Sequence, residues 1–351
     1  MGNRNSRISS RDVARVAGVS QQTVSLVARD SPLIPFDTKS RVQKVIEDLG
    51  YQPHAAAMAL RSARSLTLGY FESHVHVDFD AFRNQVLHGV RTRAKAADYH
   101  VLLDSLSDPR RCLALLKSGR IDGALVDWQV GDALLREIAA GGAPIVLVGR
   151  ETDDVLVGSV RADEEGGSYQ MTRHLLALGH RCLAVFVGDD ERGGRAATDS
   201  NAVAHARVRG WERAIGEAGL PDGAARVYTG EWNDVSGYSM GLRALGERRR
   251  PTAIFVLSEL MAVGVLRAAA DLGLRVPEDV SVVTIQESPW AKLVRPQLTA
   301  VHVPMDGVGA QAADALLAQL ANPASPPPRV VLPTTLVVRE SCGPPPASRA
   351  Q

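Results

Sequence analysis

Between Asp12 and Leu26 the chain sets a small residue, Ala14, a glycine, Gly18, and a β-branched residue, Val24, at spacings that let two short helices cross closely. A helix-turn-helix of this kind lays the start of its second helix against base edges in a DNA major groove. Gln21, Gln22, Ser25 and Leu26 would be presented there. A glutamine can bond adenine in a bidentate way, whereas Leu26 offers only apolar contact, for instance to a thymine methyl. Ser20, Thr23, Ser25, Thr38 and Tyr51 are hydroxyl donors for phosphates, which position a protein without reading sequence. A small helical domain with a polar surface uses the same spacing, so the charge around the motif matters.

That charge is unevenly divided. The net value is +1, yet residues 1–65 carry 10 Arg/Lys against 5 Asp/Glu, a balance of +5, and the remainder carries −4. A basic end combined with a groove-sized helix points to a polyanion. The other chemistries fare worse. No G-x-G-x-x-G follows the first apolar run, and neither a P-loop nor a G-x-S-x-G is present, so an enzyme is not expected. Asp189-Asp190-Glu191 reads equally as a solvated turn or a metal site, and Gly193-Gly194 as a loop. Cys112, Cys182 and Cys342 form an odd trio without C-x-x-C spacing, which suggests packing rather than a disulfide framework or zinc. No cofactor and no metal are expected.

The elements that must carry these residues follow from periodicity. A first helix has Ser9 or Ser10 as N-cap and Gly18 as its C-cap residue; a second starts after Ser20 and covers Gln21 to about Ala28. A third covers roughly Asp37 to Leu49, with Val42, Val45, Ile46 and Leu49 on one face, and Gly50 closes it. The run His54–Arg61 contains good helix formers but is too short to be helical alone in water. From Leu66 onward, apolar runs (66–71, 101–103, 123–126, 145–148, 183–187, 253–257, 280–285) alternate with amphipathic segments (82–97, 164–178, 203–219, 258–272). Such βα alternation over about 270 residues means two doubly wound lobes rather than one. The chain's 351 residues suit two or three units at about 100–200 residues each, and its 45% hydrophobic, 23% charged content is globular rather than disordered. No window nears the roughly 18 apolar residues of a membrane span, and the start lacks the apolar core of a secretory signal, so no membrane partner and a cytoplasmic location are expected.

The run Asp12-Val13-Ala14-Arg15-Val16-Ala17-Gly18-Val19-Ser20-Gln21-Gln22-Thr23-Val24-Ser25 resembles the N-terminal signature of the LacI/GalR family of bacterial regulators. The resemblance continues through Arg41-Val42, 47–53, Ala55-Ala56-Ala57, 177–181, 207–211, 276–283 and 296–299, spanning about 8 to 340 in the family's order. It implies an all-α helix-turn-helix headpiece (1–52), a hinge helix or linker (53–65), a periplasmic-binding-protein-like core of two doubly wound lobes (66–342) and a tail (343–351). The lobes would be about 66–162 with 293–322 and about 163–292 with 323–342, crossed near 160–165, 290–296 and 321–328. In the family the hinge becomes helical when two subunits pair on DNA, and a leucine from each enters the minor groove; Leu60 holds that position, beside His54, Ala57 and Met58. His54 and Met58 stand where Asn and Arg are common, Leu26 stands where Arg is common, and Arg29 stands where Asn usually follows. Losing a guanine-gripping Arg removes about 1–3 kcal/mol of discrimination at that base, so the operator should deviate from the usual half-site. Pro35 replaces the usual cap of the third helix, leaving Asp37 to take over.

By position in the family motifs, Arg207 matches an arginine that binds sugar hydroxyls and Trp232 an aromatic that stacks on the ligand. Arg150, Ser258 and Glu259 follow, then His205 and Phe82; Arg150 and Glu259 could instead pair with each other, and Trp232 could be core. Gln286 falls where the family has an aspartate, trading a two-bond acceptor for one acceptor and a donor. The effector is thus a sugar or sugar derivative, with a sugar acid or phosphorylated sugar as the alternative once a carboxylate is lost. The reading that results is a homodimeric repressor of palindromic or near-palindromic double-stranded operator DNA whose affinity a small effector changes. A solute-binding protein of a transporter shares the core but not the basic headpiece, and the proline-rich tail without a heptad favours a dimer.

Overall fold

A computed structural model of the chain describes residues 8–28, 31–51, 64–72, 81–105, 109–127, 132–188 and 202–347. The chain divides into two units, Met1–Leu66 and Thr67–Gln351. In the first, α1 (Ser10–Ala17), α2 (Gln21–Val27) and α3 (Phe36–Leu49) surround a small core of Val13, Ala14, Ala17, Val24, Val27 and Val42. The Asp12 carboxylate accepts from the Ser9 N–H (3.0 Å) and hydroxyl (2.6 Å), closing the start of α1, and these bonds hold it below the ordinary carboxylate range. Gly18 ends α1 at φ 65°, a left-handed conformation with open space around its missing Cβ, so backbone geometry alone asks for glycine there. Gly50 ends α3 in the same way. One expectation is corrected: α3 starts at Phe36 with Pro35 in the N-cap position and no side-chain cap. Asp37 lies inside the first turn, where its charge suits the helix dipole but its carboxylate is past the capping position.

Among the described residues the second unit contains two six-stranded sheets. Sheet A joins β1 (Thr67–Glu72), β2 (His100–Ser105), β3 (Gly123–Asp127), β4 (Ile145–Val148), β5 (Gly158–Ala162) and β11 (Arg329–Leu332) in the order β11-β5-β4-β3-β1-β2, all parallel. Sheet B joins β6 (Leu183–Gly188), β7 (Ala225–Gly230), β8 (Ala253–Val256), β9 (Ser281–Ile285), β10 (Thr299–His302) and β12 (Thr335–Val337) in the order β12-β10-β9-β8-β6-β7, with β12 antiparallel. The connecting helices are α4 (Ala81–Ala96), α5 (Pro109–Lys117) and α6 (Asp132–Ala139) in the first lobe. In the second they are α7 (Glu164–Ala177), α8 (Ala202–Ala218), α9 (Asp234–Gly246), α10 (Glu259–Asp271) and the single turn α11 (Trp290–Leu293). Helix α12 (Met305–Ala321) returns to the first lobe and packs on α4.

The chain passes between the sheets at 163, 303–304 and 333–334. The expected second and third crossings at 290–296 and 321–328 are therefore corrected. Thr299–His302 pairs with β9 and stays in the second lobe, whereas Arg329–Leu332 pairs with β5 and stays in the first. The breaker residues at 295–296 and 323–328 sit in loops within a lobe, because a proline interrupts pairing wherever it falls and does not mark which sheet comes next. Where α4 and α12 cross, a Cβ on Gly89 would lie 1.9 Å from the Asp306 carbonyl oxygen and one on Gly309 would lie 2.0 Å from that of Val86. Both obstacles are backbone, so neither can swing aside.

His180 is wholly buried, with Nε2 2.9 Å from the Gly343 carbonyl oxygen and Nδ1 2.9 Å from the Thr252 hydroxyl. A carbonyl only accepts, so Nε2 carries the proton. Burial lowers its pKa below the ordinary 6.5, against the pull of the Gly343 bond. The unfolded chain therefore binds a proton at His180 at a pH where the folded chain does not, and stability present above about 6.5 is lost as pH falls from there through the lower folded value. Denaturant midpoints should fall between about pH 7 and 5, with a shallower slope in His180→Gln. Gly309→Ala should cost about 1–3 kcal/mol in the same measurement through overpacking.

Candidate functional site

On α2 the buried residues Val24 and Val27 define the inner face. At about 100° per residue, Gln22, Ser25 and Leu26 fall on the opposite face and Gln21 at its border. Gln21 and Gln22 are exposed; Ser25 and Leu26 are half-buried. Ser20 caps the helix, its Oγ accepting the Thr23 N–H at 3.1 Å and lying 2.9 Å from Thr23 Oγ1. Thr38 is half-buried in the first turn of α3, and Tyr51 rests partly on the headpiece core. Arg29, His54, Ala57, Met58 and Leu60 lie outside the described residues.

In parallel sheets, ligands bind beyond the carboxyl ends of the strands, where the strand order reverses. Sheet A reverses between β1 and β3, and sheet B between β6 and β8. The first point carries Asp127, wholly buried at the end of β3, with an Arg83 nitrogen 3.8 Å from its carboxylate. Beside it, after β4, the buried Arg150 donates to the Asp132 carboxylate at 2.6 Å and to the Glu151 carbonyl at 3.1 Å. The second point carries Gly188, on which the Trp232 indole lies so closely that a Cβ would come within 2.0 Å of the ring. Trp232 is half-buried and packs against two of the hydrophobic clusters of the core.

Arg207 comes from α8 and is 3% exposed. Its Nε donates to one Glu164 oxygen at 2.9 Å, Nη2 to the other at 3.2 Å, and Nη1 to the Leu257 carbonyl at 2.8 Å. The bond to Leu257 sets the guanidinium beside Ser258, the buried residue that precedes α10. Glu259 does not meet Arg150. It accepts the N–H groups of Ser288 (3.2 Å) and Ala291 (2.6 Å), pinning the turn that enters α11, and burial pushes its pKa up against those bonds. Gln286, at the end of β9, has φ 80°, strained for a residue with a side chain, and its N–H is tied to the Val301 carbonyl at 3.0 Å. His205 is exposed and about 200° around α8 from Arg207, so the structure does not bring the two together. The Phe82 side chain lies outside the described residues.

The residues missed from the sequence are the acidic partners: Asp127, Asp132 and Glu164, with Arg83. Position at a strand end or just past a crossing was the available signal, and it needed the strand order. Another such acid is Glu287, which joins Arg339, Lys292 (3.4 Å) and His302 (3.1 Å); burial raises its pKa, but the cations outweigh this and hold it below the ordinary range. Among the described residues no group of three or more His, Cys, Asp or Glu could hold a metal, and no helix is long and apolar enough to cross a membrane.

This arrangement, a helix-turn-helix unit and a two-lobed core with paired strand-end sites, defines a ligand-responsive DNA-binding regulator. Residues 10–54 match the model for bacterial regulatory proteins of the lacI family, and 172–342 match that for a periplasmic binding protein-like domain. The chain is 31% identical over 307 residues to catabolite control protein A of Priestia megaterium, covering 86% of this chain and 89% of that protein. It is 29% identical to the HTH-type transcriptional repressor PurR of Edwardsiella ictaluri, over 89% and 90%. Among solved structures, the lac repressor dimer bound to operator and the anti-inducer ONPF superposes with a TM-score of 0.82 at 26% identity over 95% of this chain and 98% of that one. The transcriptional regulator CelR in complex with cellobiose gives 0.69 at 28%, over 95% and 100%. The chain belongs to the LacI family and is a sequence-specific DNA-binding transcriptional regulator with an effector-binding core.

Arg207→Met should lower core stability by about 3–5 kcal/mol, because it leaves the Glu164 carboxylate buried without its cation. The paired variant Glu164→Leu/Arg207→Met should recover part of that loss, read as the denaturant midpoint.

Proposed function

We propose that the protein is a homodimeric repressor that binds a palindromic or near-palindromic operator and changes its affinity when a sugar or sugar derivative enters the cleft. The observation that carries the reading is the joint presence of an outward Gln22–Ser25–Leu26 face on α2 and, at the switch point of sheet B, a half-buried indole over the end of β6 and a buried arginine bonded just past the end of β8. Relatives named as repressors and a relative solved with cellobiose support the direction and the ligand class. A dimer follows from the reading itself, since one headpiece reads one half-site and two-fold symmetry in protein matches palindromy in DNA.

On this reading Gln21 and Gln22 bond base edges, Leu26 packs on a thymine methyl, and Ser20, Thr23, Ser25, Thr38 and Tyr51 contact phosphates. Arg29, His54, Ala57 and Met58 complete the contact set, and Leu60 supplies the minor-groove wedge. In the cleft, Trp232 stacks on the apolar face of the ring, Arg207 donates to hydroxyls, and Arg150, Ser258, Glu259 and Gln286 line the remainder. Effector changes operator affinity only by the difference in its own affinity for the two states, typically about 1–3 kcal/mol.

Selection of bound sites from random duplexes by the full-length protein, followed by affinity for the best site with a panel of sugars, tests this. A palindrome whose affinity falls steeply with salt and is weakened by one sugar is the expected result. Enrichment of no site, with or without the panel, would overturn it. Gln22→Ala should lose about 1–3 kcal/mol at one base position of each half-site and leave the salt dependence unchanged.

A further inference from the structure

The loss of a carboxylate at position 286 points, in the sequence, toward an anionic effector. The structure changes the charge balance. A carboxylate reaches Arg207 from another direction: Glu164, the first residue of α7 and immediately past the first crossing between the sheets. Its side chain is 6% exposed and its partner's is 3% exposed, so the pair meets where water screens little.

The geometry uses the guanidinium in a particular way. Arginine has five N–H donors. Here Nε–H and one hydrogen of Nη2 form the two-bond fork that fits a carboxylate, and Glu164 occupies that fork at 2.9 and 3.2 Å. One hydrogen of Nη1 goes to the Leu257 carbonyl at 2.8 Å. One N–H on each terminal nitrogen is left for a ligand, and these two are donors whose charge has already been cancelled. A hydroxyl can accept from such a donor at no electrostatic cost. A carboxylate or phosphate at the same spot would set a second negative charge beside Glu164 in a low-dielectric place. The first lobe shows the same kind of pairing, Arg150 with Asp132 and Arg83 with Asp127.

Resting on the reading of the Arg207–Trp232 cleft as the effector site, we propose that Glu164 is a specificity-determining residue that reserves this cleft for uncharged polyhydroxylated ligands and excludes sugar acids and sugar phosphates. It does so by holding the carboxylate-matching fork of Arg207, from a place on the first turn of α7 where a helix end favours negative charge.

Inorganic phosphate serves as the probe, titrated at constant ionic strength into full-length wild type, E164Q, R207Q and E164Q/R207Q, with binding read by calorimetry and by the melting temperature. Wild type should show no phosphate binding beyond that of R207Q. E164Q should bind phosphate at least about tenfold more tightly, and adding R207Q should abolish the gain. Wild type binding phosphate through Arg207 as tightly as E164Q does would overturn the proposal, as would an E164Q that gains nothing. If E164Q does not fold, the wild-type arm decides: phosphate protection that disappears in E164Q/R207Q overturns the proposal, and its absence upholds it. Failure of the effector reading itself shows elsewhere, as operator release by the sugar panel that is indifferent to R207Q.

Discussion

Two sheets in one chain can present their ligand-binding ends together only if the segments that cross between them are held to one another. Here that constraint is met by hydrogen bonds and close packing at the crossings. The Asp163 N–H donates to the Leu332 carbonyl at 2.9 Å, and the Thr334 hydroxyl donates to the Asp163 carbonyl at 3.2 Å, so the first and third crossings are tied across a sequence gap of about 170 residues. A Cβ at Gly167 would strike Thr334 Oγ1 at 2.7 Å and Val301 Cγ1 at 2.8 Å, which brings β10, leading into the second crossing, against the same place.

The consequence for chemistry is that charge in the core is compensated locally. Arg207 alone would be a strong anion site; with Glu164 on the neighbouring crossing it becomes a polar but neutral donor pair. The energetic logic is that a buried ion is tolerable only with its partner and with its remaining hydrogen bonds filled, and the Leu257 carbonyl supplies the third. The same requirement explains why Glu259 reaches two backbone N–H groups: a buried carboxylate needs donors, and the turn entering α11 offers them.

The headpiece solves a smaller problem. With six buried residues as its core among those described, it has little apolar area, and its local signals must agree: the Ser9–Asp12 reciprocal cap, the Ser20 cap and the left-handed glycines at both Gly18 and Gly50. Because Val24 and Val27 are committed inward, Gln22, Ser25 and Leu26 are left on the outward face of α2.

The sequence by itself determined what local rules control. Helix starts and stops in the headpiece, the outward glutamines, and the long apolar runs that became β4, β6, β8 and β9 were all legible, since capping and continuous burial leave their marks within a few residues. The resemblance of its motifs to a known family supplied Arg207 and Trp232 as candidates. The strands β5, β7, β10, β11 and β12 went unread: Ala225–Gly230 and Arg329–Leu332 are only half-buried edge or near-edge segments, and a four-residue strand such as Thr299–His302 carries too few positions for a period to show. Without them the two later crossings were misplaced. Only the tertiary structure decided which carboxylate meets which arginine, because Glu164 and Arg207 are 43 residues apart and Asp132 and Arg150 are 18 apart, and their pairing depends on sheet order rather than on any local pattern.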